Sequence, residues 1–279
     1  MKPDSAQFVA EQLRATDRDR YFATLLLAPK ERNALTALYA FNADVASIRD
    51  RAREPAAGEI RLRWWADALT GEGHGAVRQN PLAEVLLDTI AEYGLPVPAL
   101  GRLIEARRFD LYDDPMPDMP TFEGYAGETA SVLYQFGAMI LNGGRPVDTG
   151  DAAGHLGVAH ALVGHLRAFG QNASRGRIFL PWSVFEANGV GEDALFAGRM
   201  SEGLAAALRQ LADMAVDHLA KADTAVTALP RDLRSAFAPV ALLKLQLAQF
   251  AVESPFQSPS DIAEWRKIAT LALWKLRRA

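Results

Sequence analysis

Apolar residues recur every three or four positions along nearly the whole chain, and the strict alternation of a half-buried strand is scarce. That period belongs to helices. It predicts helices near residues 4–15, 18–27, 30–52, 59–70, 80–93, 97–111, 121–141, 149–171, 200–228, 231–252 and 260–276. The 200–228 segment tests the assignment. At about 100° per residue, Leu204, Leu208, Leu211, Ala215, Leu219 and Ala222 share one face, and Asp213 and Asp217 fall opposite. Punctuation supports the breaks: Pro29, Gly58, Gly71-Glu-Gly73, Pro81, Gly94 and Gly143-Gly144. Asp114-Pro-Met-Pro-Asp-Met-Pro120 has too many prolines to be helical, and Arg175-Gly-Arg-Ile-Phe-Leu-Pro181 reads as a second link. The expectation is an all-α chain, one domain over 1–279, with more helices than a four-helix bundle needs.

Composition narrows the function. Among 279 residues, 49% are hydrophobic, which is too apolar for a disordered chain. A net charge of −4 excludes a general nucleic-acid binder, which would be basic. No cysteine means no disulfide, thiolate metal site or cysteine nucleophile. The first residues lack a secretory layout, and Asp4, Glu11, Asp17 and Asp19 are unlike a mitochondrial transit peptide. With no long uncharged apolar run, the expected setting is the bacterial cytosol.

Two acidic pairs at i, i+4 are decoys. Asp213 and Asp217 lie on the solvent face, and prolines deny Asp114 and Asp118 a shared helix.

Three stretches in order are more specific. Tyr21-Phe-Ala-Thr-Leu-Leu-Leu-Ala-Pro-Lys-Glu-Arg32 leads into Ala37-Leu-Tyr-Ala-Phe41; Gly58-Glu-Ile-Arg-Leu-Arg-Trp-Trp65 follows; Arg167 then precedes Arg175-Gly-Arg-Ile-Phe-Leu-Pro181. Over roughly residues 20–185 this resembles the squalene/phytoene synthase family. The resemblance implies the isoprenoid synthase fold, a multi-helix bundle around a central cavity. In active members, it implies, carboxylates on two facing helices hold Mg²⁺ against a prenyl diphosphate. Without that charge, the departing diphosphate would be left unneutralised in an apolar cavity, at a cost of several kcal/mol.

The same resemblance places the first Asp-Asp-x-x-Asp run at Ala46, Ser47 and Asp50, and the second at Ala168 and Asn172. Of those five positions only Asp50 is acidic. Asp44 lies about 240° around the helix from Asp50 and cannot share an ion with it. These departures, with the Leu-Ala-Pro-Lys-Glu-Arg start and the Gly-Glu-Ile-Arg-Leu-Arg-Trp-Trp run, resemble a non-synthase branch. That branch includes the mitochondrial assembly factor of respiratory complex I and its alphaproteobacterial relatives. It implies a chaperone-like or assembly role, with a respiratory complex subunit or a membrane surface as partner and peripheral placement at the inner membrane.

The expected cavity residues are Tyr39, Asn42, Asp50, Arg167, Asn172, Arg175 and Arg177, with no catalytic residue and no metal ligand among them. Asn42, Ala46 and Asp50 share a face at i, i+4, i+8. The three arginines either hold an anionic headgroup or pair with acids such as Asp50 or Asp110. His155, His160 and His165, five residues apart, cannot converge on one ion and are expected to be structural. Glu128 is expected at a rim, and one indole of Trp64-Trp65 in the core. In the last helix Trp274 lies among Lys267, Arg277 and Arg278, a pattern of bilayer contact or of an ordinary closing helix. Two rivals stay open beside the assembly role: a prenyltransferase that needs Mg²⁺, and a lipid or isoprenoid carrier.

Overall fold

A computed structural model describes residues 3–278; Met1, Lys2 and Ala279, the outer limits of the expected domain, lie outside the described residues. Proline at the first helical turn opens several helices, where its missing N–H costs nothing and its φ is already suitable. The helices are α1 (Pro3–Thr16), α2 (Arg18–Thr24), α3 (Pro29–Ala46), α4 (Ile48–Arg51), α5 (Pro55–Thr70), α6 (Pro81–Tyr93) and α7 (Val97–Ala106). There follow α8 (Met119–Ala126), α9 (Val132–Leu141), α10 (Asp151–Arg167), α11 (Phe169–Ala173), α12 (Trp182–Ala187) and α13 (Glu192–Phe196). The last four are α14 (Glu202–Ala228), α15 (Arg231–Arg234), α16 (Pro239–Leu247) and α17 (Glu264–Arg278). No strand occurs among the described residues. None of the described helices is long and apolar enough to cross a membrane.

Side-chain caps fix several starts. Asp17 accepts from Arg20 N to open α2, Asn80 from Leu82 N and Ala83 N at α6, Asp118 from Thr121 N at α8, and Ser201 from Leu204 N at α14. Gly71 and Gly94 end α5 and α6 in the left-handed region.

The core has two large apolar clusters. One is built on α10 and α14 and contains the whole expected stripe Leu204, Leu208, Leu211, Ala215, Leu219 and Ala222. The other joins α3, α5, α6 and α7, with Trp65 edge-on to Phe41 at 5.0 Å. Trp64 is half-buried beside it.

The structure corrects several boundaries. The expected 30–52 helix ends at Ala46; Ser47 (φ −81°, ψ −5°) separates α3 from α4. The expected 149–171 helix breaks likewise at Ala168 (φ −89°, ψ 4°). Residues 119–141 run through a π-helical turn at Gly127–Ser131. That turn packs so closely on α10 that a Cβ on Gly157 would stand 2.5 Å from Ser131 N. The 231–252 helix is shorter, and α12 and α13 were not expected at all. The two proline-marked loops pair: Met116 N donates to Ile178 O (3.3 Å) and Trp182 N to Met116 O (2.7 Å).

A candidate cavity closed by arginines

Between the two clusters lies a cavity of about 500 Å³. The start of α2, the α3–α4 bend, the segment after α7, the α8 end and the α10–α11 bend all line it. Asn42, Ala46 and Asp50 face it together, as their spacing requires, and so do Ala161, Ala168 and Asn172 from the opposite side. Both breaks, at Ser47 and Ala168, therefore fall beside this space.

At its exposed end the contacts are made by cations. Asp50 accepts from Arg175 at 3.1 Å and stands 3.7 Å from Arg49 Nε. Arg49 spans the gap: a guanidinium N–H donates to Asn172 Oδ1 at 3.3 Å, and the guanidinium carbon sits 4.2 Å over the Phe179 ring. Sequence reasoning missed Arg49. Its spacing gave a signal, since Asn42, Ala46 and Arg49 stand at i, i+4 and i+7 on one face.

The inner end is a buried polar network. Arg20 donates to Asp17 at 2.8 Å and lies over the Tyr39 ring at 5.5 Å. Burial alone would raise the Asp17 carboxyl, but the Arg20 charge and its hydrogen bonds hold it below the usual range. Tyr134 and His160 share a 2.6 Å hydrogen bond. Burial, then the Arg20 charge, pushes His160 down to about 3; burial and the Arg49 charge do the same to His165. Both imidazoles are neutral. Beside them Arg107 donates to Asp110 (3.0 Å) and to Tyr125 Oη (2.7 Å), while Tyr125 donates to Asp110 (2.7 Å). The lining thus carries three arginines and three aspartates, each aspartate beside an arginine. Asn42 Oδ1, Tyr39 Oη and Arg107 Nε are buried with no hydrogen-bond partner.

The expected residues divide. Asn42, Asp50 and Asn172 line the cavity. Tyr39 is fully buried behind Arg20 rather than on the lining, and burial raises its hydroxyl. Arg175 is held by Asp50, and Arg177 by Asp113 at 2.7 Å, so the arginine–acid pairing forms in both; Asp110, the other expected partner, is taken by Arg107. Arg167 does not reach the cavity, and its buried Nε is unpartnered.

His160 and His165 both border the cavity, against different groups, and His155 turns away to His218 at 3.0 Å. Glu128 pairs with Arg102 at 3.2 Å, off the lining. Asp44 accepts from Trp65 Nε1 at 2.9 Å. Asp213 and Asp217 are exposed, and Asp118 serves only as a cap. Among the described residues no three His, Asp or Glu side chains are grouped to hold a metal ion.

A model of the squalene/phytoene synthase family matches residues 13–254. The rat protein described as "NADH dehydrogenase (ubiquinone) complex I, assembly factor 6" is 27% identical, over 95% of this chain and 83% of its own length. A 15-cis-phytoene synthase from Synechococcus elongatus is 26% identical, over 92% of this chain and 88% of its own. The crystal structure of a dehydrosqualene synthase superposes with a TM-score of 0.82 at 20% identity, covering 98% of this chain and 96% of that one.

Proposed function

The chain belongs to the squalene/phytoene synthase family, and from that premise we propose that it is a binding or assembly protein that does not couple prenyl diphosphates. One observation carries this: the gap where the family resemblance expects metal-bridging carboxylates is spanned by the Arg49 guanidinium on Asn172, and its one acid, Asp50, is taken by Arg175. A divalent ion needs several anionic oxygens free to turn toward it. Here one neutral amide oxygen and one paired carboxylate face a fixed positive charge, so the residues do not fit Mg²⁺. Identity does not separate an assembly factor from a synthase, at 27% against 26%. The side chains at the gap favour the assembly reading.

The partner is a subunit of a respiratory complex, as the relative's name supports. The setting is cytoplasmic, peripheral at the inner membrane. The cavity favours a second role as a carrier of a lipid or isoprenoid. Its observation is the buried, unpartnered Asn42 Oδ1 on the lining, which a bound hydroxyl or amide would satisfy.

Incubation of purified protein with farnesyl or geranylgeranyl diphosphate and Mg²⁺ is expected to release no pyrophosphate. Turnover at ordinary enzyme rates, abolished by Asp50→Ala, would overturn the proposal and establish a prenyltransferase. Native mass spectrometry tests the carrier role; protein that never retains an isoprenoid or lipid refutes it.

A further inference from the structure

Helix α17 presents two unlike faces. Inward, Leu271 is buried, Trp274 is half-buried against α2 and α16, and Lys267 is buried between Asp19 (2.9 Å) and Asp261 (3.0 Å). Arg278 also points inward, to Asp223 at 2.6 Å. Of the two expectations for Trp274, Lys267 and Arg278, this face is that of an ordinary closing helix, not of bilayer contact.

The outer face is apolar. At about 100° per residue, Trp265, Ile268, Ala269, Ala272, Leu273 and Leu276 fall within an arc of about 140°. Trp265 is 72% exposed and Leu276 76%. None of the described residues covers this stripe, and leaving such side chains in water is unfavourable by about 25 cal/mol per Å² of apolar surface. One border is basic. Arg266 and Arg277 flank it with no acidic partner among the described residues, whereas the other border carries Lys275, which donates to Leu26 O, and Glu264, paired with Arg18 at 3.0 Å. In a chain of net charge −4, this helix carries five cations against one acid.

From that arrangement we propose that α17 lies flat on an anionic lipid surface, with Trp265, Leu273 and Leu276 in the headgroup–acyl boundary and Arg266 and Arg277 at headgroup phosphates. The charge complementarity selects the occupant: two cations without acidic partners run along one edge of the apolar stripe, where a bilayer lying against it places its headgroup phosphates. The proposal rests on the peripheral membrane setting proposed above and is independent of the cavity, so vesicle binding can fail while the assembly role stands.

Co-sedimentation of the full chain with phosphatidylcholine vesicles, with and without phosphatidylglycerol, tests it. Binding is expected to the anionic vesicles and to weaken with salt. Leu273→Glu with Leu276→Glu is expected to lower it at least tenfold. These sites are exposed, and an unchanged thermal melt confirms that the variant folds. Arg266→Glu with Arg277→Glu, which touches no apolar contact, should lower it by on the order of tenfold or more. Wild-type protein that stays in the supernatant overturns the proposal, as does a leucine variant that binds equally well. So does a wild-type dimer that the leucine variant turns into a monomer without lipid binding, since the stripe would then cover a second copy.

Discussion

The two ends of the cavity hold the same kinds of side chain in opposite circumstances. At the inner end Asp17 and Arg20 are mostly withdrawn from water, with side chains 22% and 11% exposed. At the mouth Asp50 and Arg175 are each 47% exposed. An ion pair in water gains little, because solvent already stabilises both charges. An ion pair out of water has lost that solvation and depends on its partner, so removing one member is costly. The inner end is therefore a structural commitment and the mouth an adjustable closure. Arg49, with a side chain 15% exposed and stacked on Phe179, stands between them.

Mutation can break that contrast. Asp17→Ala strands the Arg20 guanidinium and removes the α2 cap, so a loss of about 3–5 kcal/mol is expected in urea unfolding. A loss below about 1 kcal/mol would show that the inner end is wetter than its burial implies.

Acid probes the same region. His160 and His165 titrate at about 3 when folded, against 6.5 unfolded. Being depressed, they contribute stability that is whole above pH 6.5 and lost as pH falls toward 3. By pH 5 that is about 2 kcal/mol per imidazole, read from unfolding free energies across pH. His165→Phe, which keeps the stacking on Phe179, should flatten the decline by one imidazole's share.

Nearer the mouth, Arg49→Ala loses the Asn172 hydrogen bond and the ring contact, worth about 1–2 kcal/mol. Arg175→Ala should cost about 0.5 kcal/mol or less, and that little should vanish in high salt.

Much of the fold was readable because it is written locally. The stripe of α14, the prolines that open α3 and α6, and the glycines that close α5 and α6 each specify a helix or its end without knowledge of the rest, whereas α5 starts at Pro55 and runs through Gly58, an expected break. The bends at Ser47 and Ala168 were not readable, because both residues sit comfortably inside helices and only packing across the cavity decides otherwise. The π-helical turn depends in the same way on the approach of Gly157.

At the site, spacing put Asn42 and Asp50 on one face, and the family resemblance placed that face and Asn172 on the cavity. Arg49 shares the Asn42 face at i+7, but a base there has no counterpart among the acids that the resemblance implies. The five-residue spacing of His160 and His165 excludes a shared metal ion, yet a cavity wall accepts residues from a wider arc of a helix than a coordination sphere does.

The tether between Arg49 and Asn172 has a further consequence. A bridging ion is a visitor, and a gap that relies on one opens or closes with the supply of that ion in the surroundings. A guanidinium on its own stem never leaves, so its local abundance is set by the backbone. On the proposal made here, the spacing of these two helices is thus a constant of the chain, indifferent to chelators and to swings in cellular magnesium.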